Sequence, residues 1–124
     1  MILNEEKNWR LIKNFNRGKY CFLIGVNNWA VELSGDEFES LCQLLIKIDK
    51  QFNSMKGELL EEELINFEIE KSPWYIELEG NKKQWNLSII LESKNDTRSF
   101  EMYWPIPIAQ TLCIEIIKMW ESMH

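Results

Sequence analysis

The chain has 124 residues, 45% of them hydrophobic and six of them Trp, which is enough for one domain with a real core and too short for two. Fourteen Lys and Arg against 20 Asp and Glu leave a net charge of −6, which disfavours a general binder of nucleic acid or anionic lipid. The longest apolar run, YCFLIGV, has seven residues where a membrane span needs about 20. The opening MILNEEKNWR has no apolar signal segment, so a soluble cytoplasmic protein is expected.

In WRLIKNF, Trp9, Leu11 and Phe15 share one phase, with Lys13 the exception. KYCFLIGV is apolar nearly throughout, as a centrally buried strand would be. Asn27-Asn28 marks a tight turn, and WAVEL sets Trp29, Val31 and Leu33 on one face. Three strands are therefore expected before the first helix. Ser34 followed by Glu37 predicts a capping box, and Asp36 and Glu37 suit the positive end of a helix over residues 35–53. Its stripe is Phe38, Leu41, Cys42, Leu45, Ile48 and Phe52, widened by Leu44 and Ile46 beyond that of a surface helix, so cover on more than one side is expected.

After the acidic ELLEEE, INFEIEK and PWYIELE alternate apolar and polar residues as half-buried strands do. GNKK predicts a turn, WNLSIILE a strand, SKND another turn and RSFEMYW the last strand. With Pro105 and Pro107 in its first turn, a helix over 106–123 follows, its stripe made of Ala109, Leu112, Cys113, Ile116, Trp120 and Met123.

A shift of 71 residues lays Trp29 on Phe100, Val31 on Met102, Leu33 on Trp104, Leu41 on Leu112, Cys42 on Cys113, Lys47 on Lys118 and Phe52 on Met123. The fold class predicted is α+β, with two pseudo-repeated antiparallel units of three or four strands plus a helix (8–55 and 64–123) and the two helices packed together. A monomer with an internal pseudo-two-fold axis is the matching oligomeric expectation.

The order of several weak features carries a resemblance. They are WRL at 9–11, WAVEL with its acidic helix start, the EEE before the second half, PWYIELEG at 73–80, and Arg98, Glu101 and Trp104-Pro105. Together they resemble the uncharacterised cyanobacterial family numbered 1818 among the domains of unknown function. Two glycines expected of that family are Asn8 and Met102 here. The resemblance implies a fold like that of Whirly and transcriptional-coactivator single-stranded-DNA-binding domains, with both halves in one chain. It implies no activity.

The chemistry-bearing residues point away from an enzyme. His124, the last residue, is the one histidine, and no G-x-S-x-G, Walker or G-x-G-x-x-G motif occurs. Cys21, Cys42 and Cys113 are an odd count without C-x-x-C spacing, so they read as small core residues, with neither a disulfide framework nor a zinc site. No cofactor or metal is expected.

Two surfaces remain. Residues 7–31 contain Lys7, Arg10, Lys13, Arg17 and Lys19 and no acid, interleaved with Trp9, Phe15, Tyr20, Phe22 and Trp29. Cations beside rings suit weak single-stranded nucleic-acid binding, with Arg10, Lys13, Arg17, Lys19 and Tyr20 as contacts. The plain alternative is that the large rings are core and the cations keep a rim soluble. Trp74, Trp85, Trp104 and Trp120 fall on inward phases and read as core.

The second surface is the polar face of the second half, with Glu68, Glu70, Tyr75, Glu77 and Glu79, joined by Glu92 and Glu101 if they share a side. A turn at Ser72-Pro73 sets Glu68 opposite Glu77, a like-charge pair. This face suits a basic protein partner, the adaptor reading, or a divalent ion. The plain alternative is a solvated face balanced by Lys71, Lys82, Lys83 or Arg98. Arg98 and Glu101 are expected to form a local ion pair.

Overall fold

The computed structural model describes residues 2–6, 8–94 and 97–124, the first five by their backbone alone. Lys7, part of the basic stretch, lies outside the described residues, as do positions 95 and 96 of the SKND turn.

The first half is an antiparallel meander of four strands, β1 (Ile2–Glu6), β2 (Trp9–Lys13), β3 (Phe22–Val26) and β4 (Trp29–Leu33), in that spatial order. One strand more than expected is present, because β1 pairs with β2 through the register Ile2↔Lys13 to Glu6↔Trp9. Its polar sequence ILNEE hides it from periodicity. The inward phase holds Trp9, Leu11, Phe22, Ile24, Val26 and Leu33, all buried.

Helix α1 (Gly35–Lys56) starts where the capping box predicts: Glu37 N–H donates to Ser34 Oγ at 3.2 Å and Ser34 N–H donates to Glu37 Oε1 at 2.8 Å. It runs three residues beyond the predicted end. Phe38, Leu41, Cys42, Leu44, Leu45, Ile48 and Phe52 of the predicted stripe are buried, and Ile46 is half-buried.

The second half repeats the plan with β5 (Ile65–Lys71), β6 (Trp74–Gly80), β7 (Trp85–Ser93), β8 (Arg98–Trp104) and α2 (Ile108–Ser122). The second helix starts later than expected. Pro107 bars the preceding Ile106 from helical backbone, so the two prolines precede the first turn instead of filling it. Met119 is buried on the α2 stripe, and Trp120 is only half-buried.

The two helices touch each other, and each also contacts strands of both halves: α1 meets β4 and β5, and α2 meets β2 and β7. Residues of both halves form one hydrophobic core. This accounts for the wide stripe of α1.

The strand registers relate the halves by two displacements. From β4 onward the shift is 71, Trp29 onto Phe100. For β2 and β3 it is 65, because Trp9 faces Val26 as Trp74 faces Leu91. The difference of six lies in the β7–β8 hairpin, which adds the pairs Glu92↔Ser99 and Ser93↔Arg98 before turning, where β3 and β4 turn directly after Val26↔Trp29. Arg98 belongs to this extension.

Candidate functional site

Period two places alternate residues of β5–β8 on opposite faces. One face packs on the helices through Trp74, Ile76, Leu78, Leu87, Ile89, Leu91, Met102 and Trp104, all buried. The cross-strand rows of the other face run Glu70–Tyr75–Ile90–Glu101 and Glu68–Glu77–Ser88–Tyr103, with Asn66–Glu79–Asn86 on one side and Glu92–Ser99 on the other. Six glutamates share this face, Glu92 and Glu101 among them, and none of its paired strand positions holds Lys or Arg, while Lys94, just beyond β7, lies at its edge beside Glu70, Tyr75 and Glu92.

Glu68 stands opposite Glu77, the register expected from a turn at Ser72-Pro73. A neutral donor relieves part of the repulsion. Asn66 Nδ2 donates to Glu77 Oε2 at 3.2 Å. Tyr75 sits beside Glu68, and its hydroxyl's interaction with that carboxylate first, then desolvation and the charges of Glu68, Glu77 and Glu70, pushes the phenol up to about 12. Tyr75 is held neutral in a field of carboxylates.

The cations expected to balance the face sit elsewhere. Lys71 Nζ donates to Gln43 Oε1 at 3.4 Å, and Lys82 and Lys83 both turn to Glu61 on the loop after α1. Arg98 does not pair with Glu101. Three residues apart on a strand, the two project to opposite faces. Arg98 Nη1 lies 2.5 Å from Glu37 Oε1, its Nη2 donates to Glu32 O at 2.6 Å, and its guanidinium stacks 4.6 Å from the Tyr20 ring centroid. Glu37 is the buried carboxylate of the capping box, and its backbone carbonyl accepts from Trp74 Nε1 at 2.9 Å. Sequence periodicity gave no sign of this junction of β4, α1, β6 and β8.

The basic first-half residues do not share one face. Arg10 lies flat over Gly25, where a Cβ would meet its Nη2 at 2.3 Å, and reaches the carbonyls of Asn27 at 3.3 Å and Trp29 at 3.1 Å. A substituent at Gly25 would evict that guanidinium. Arg17 pairs with Glu32 at 2.5 Å. Lys13 is on the opposite phase of β2 from Arg10, its Nζ 5.4 Å from the exposed Phe15 ring, and Lys19 Nζ lies 5.5 Å from the Tyr20 ring. Trp9 and Phe22 are core, and Trp29 is half-buried.

All three cysteines are buried free thiols. Burial, with Cys113 nearby, pushes the Cys42 thiol up, and burial with Asp49 nearby pushes Cys113 up to about 12. Among the described residues no group of three or more His, Cys, Asp or Glu is arranged to hold a metal ion, and no helix is long and apolar enough to cross a membrane.

Comparison with known proteins places this geometry in a family. No curated protein matches the chain. A crystal structure of a protein with unknown function from the DUF155 family, from Prochlorococcus sp. NATL2A, is similar, with 33% sequence identity and a TM-score of 0.89 over 97% of this chain and 99% of that one. The family model for the domain of unknown function DUF1818 matches residues 4–119, and the chain belongs to that family.

Proposed function

We propose that the protein is a non-enzymatic interaction module that docks a cationic protein segment on the outer face of β5–β8. The observation that carries this reading is that no paired strand position of a four-strand face holding six glutamates is Lys or Arg, with Lys94 at its edge, while Lys71, Lys82, Lys83 and Arg98 are engaged elsewhere. Like charges opposite each other on adjacent strands cost stability, and an incoming cation relieves that cost. Tyr75, Tyr103 and Ile90 on the same face add rings and apolar surface against which an Arg or Lys stem packs.

The other reading, single-stranded nucleic-acid binding through Arg10, Lys13, Arg17, Lys19 and Tyr20, draws support from the doubled meander-plus-helix plan, which is the plan we assign to the Whirly type of fold. Two of its cations, Arg10 and Arg17, are engaged within the chain. The acidic face is the better supported surface, and we place the protein in the cytoplasm.

The test is residue-resolved NMR of the full chain titrated with an arginine-rich peptide and, separately, with a single-stranded oligonucleotide. Peptide-induced shifts on Glu68, Tyr75, Glu77, Glu79 and Tyr103 support the docking face. Shifts confined to Arg10, Lys13 and Lys19 on adding the oligonucleotide move the function to the first half.

A further inference from the structure

The β6–β7 turn, the ends of both helices and the loop after α1 enclose an open cleft of about 480 Å³. Its cations are presented by a fixed backbone. Asn81 Oδ1 accepts from the N–H groups of Lys83 at 2.9 Å and Gln84 at 3.0 Å, and Asn81 N–H donates to Gln84 O at 2.9 Å. Gln110 Nε2 donates to Lys83 O at 3.0 Å and ties the turn to α2. Gly80, with φ +149°, permits the turn, since a Cβ there would lie 2.3 Å from Gln84 O.

Two neighbouring ammonium groups converge on one carboxylate. Lys82 Nζ, anchored by donating to Leu59 O at 3.1 Å, lies 4.0 Å from Glu61 Oε1, and Lys83 Nζ pairs with Glu61 Oε2. The two lysines hold the Glu61 carboxyl below its usual range, Lys83 contributing most. Lys56 also lines the cleft, with Asp49 as the one acid besides Glu61. The cleft's lining also includes apolar surface: Phe52 and Trp85, ring centroids 5.9 Å apart, and the half-exposed Ile114.

We propose that this cleft binds a small organic phosphate, its oxyanion between Lys82 and Lys83 and its apolar body against Trp85 and Ile114, and that Glu61 occupies the oxyanion position in the free chain. A carboxylate spanning two ammonium groups marks where an anion is stabilised. A phosphate brings more charge and a third acceptor oxygen to the same place. The Glu61 side chain is 64% exposed, and an exposed ion pair of this kind holds weakly, so a ligand displaces it readily. The site is separate from the outer face of β5–β8, and its success or failure leaves the docking proposal untouched.

The experiment is a titration of the full chain with phenyl phosphate, followed through the Trp85 indole and Gln110 side-chain amide NMR signals, with inorganic phosphate and phenol as parallel probes. Saturable shifts with phenyl phosphate, weaker ones with inorganic phosphate and none with phenol are expected. Glu61→Gln should tighten binding by about two- to fivefold, since an exposed pair no longer competes. Lys83→Gln should weaken it by about tenfold, the loss of one charge-assisted contact. Unchanged signals up to saturating probe, or an affinity that neither variant alters while the rest of the spectrum stays native, would overturn the assignment.

Discussion

Arg98 and Glu37, 61 residues apart in the chain, form a partly buried ion pair with Nη1 2.5 Å from Oε1. The pair joins the extension of the second-half hairpin to the first turn of the first-half helix. Glu37 caps that helix, receives Arg98 and offers its carbonyl to Trp74, so one residue fixes how the halves meet. Arg98→Met should leave a buried carboxylate with a single backbone donor and cost about 3 kcal/mol, within the range for breaking a buried pair. Urea denaturation checks this; a loss below about 1 kcal/mol would reduce the pair to a surface contact.

The acidic alternation of β5 and β6 was legible in the sequence because period two needs only local spacing. INFEIEK and PWYIELE, with a turn at Ser72-Pro73, sufficed to set Glu68 against Glu77. The duplication was half legible: the shift of 71 aligns β4 and α1 with β8 and α2, and the six-residue hairpin extension throws β2 and β3 out of that frame, concealing the match of Trp9 with Trp74. The Arg98–Glu101 expectation overlooked strand parity. The contacts of Lys82 and Lys83 with Glu61 and the placement of Arg10 over Gly25 are tertiary events that no local pattern encodes.

The Glu68–Glu77 opposition predicts a stability gain from neutralising the face. Glu77→Gln keeps an acceptor for Asn66 Nδ2 and removes the like charge, so stability should rise by some tenths of a kcal/mol at low salt and by less at high salt. Chemical denaturation at two ionic strengths checks both the sign and its salt dependence. A loss of stability at low salt would show that Glu77 serves the fold itself.

Tyr75 should ionise late. Its phenol is raised to about 12 by the interaction with Glu68 first, then by desolvation and the charges around it. The folded state thus keeps a proton that an unfolded Tyr releases near pH 10. Stability from this group is intact below about pH 10 and is lost as pH rises toward 12. Ultraviolet titration of the native protein should find Tyr75 ionising later than in the Glu68→Gln variant; equal midpoints would remove the Glu68 interaction from the account.

Cys42 and Cys113 occupy equivalent positions on the two helices, both fully or almost fully buried, with thiols raised by that burial. Neither should react with a thiol reagent in the native protein faster than the chain opens. Cys42→Ala or Cys113→Ala should cost on the order of 1 kcal/mol through lost packing. Rapid native-state labelling of either would place the helix pair apart.

The docking face is tested most directly by comparing two triple variants of identical charge. Glu68→Gln/Glu77→Gln/Glu79→Gln and Glu39→Gln/Glu62→Gln/Glu115→Gln each change the net charge from −6 to about −3, so long-range attraction is matched and only the location differs. Binding of a fluorescent arginine-rich peptide is read by anisotropy at low and moderate salt. The account predicts that the first variant loses about tenfold in affinity and the second remains within about twofold of the parent. Equal losses in both, or binding untouched by the first, would contradict a docking site on the outer face of β5–β8.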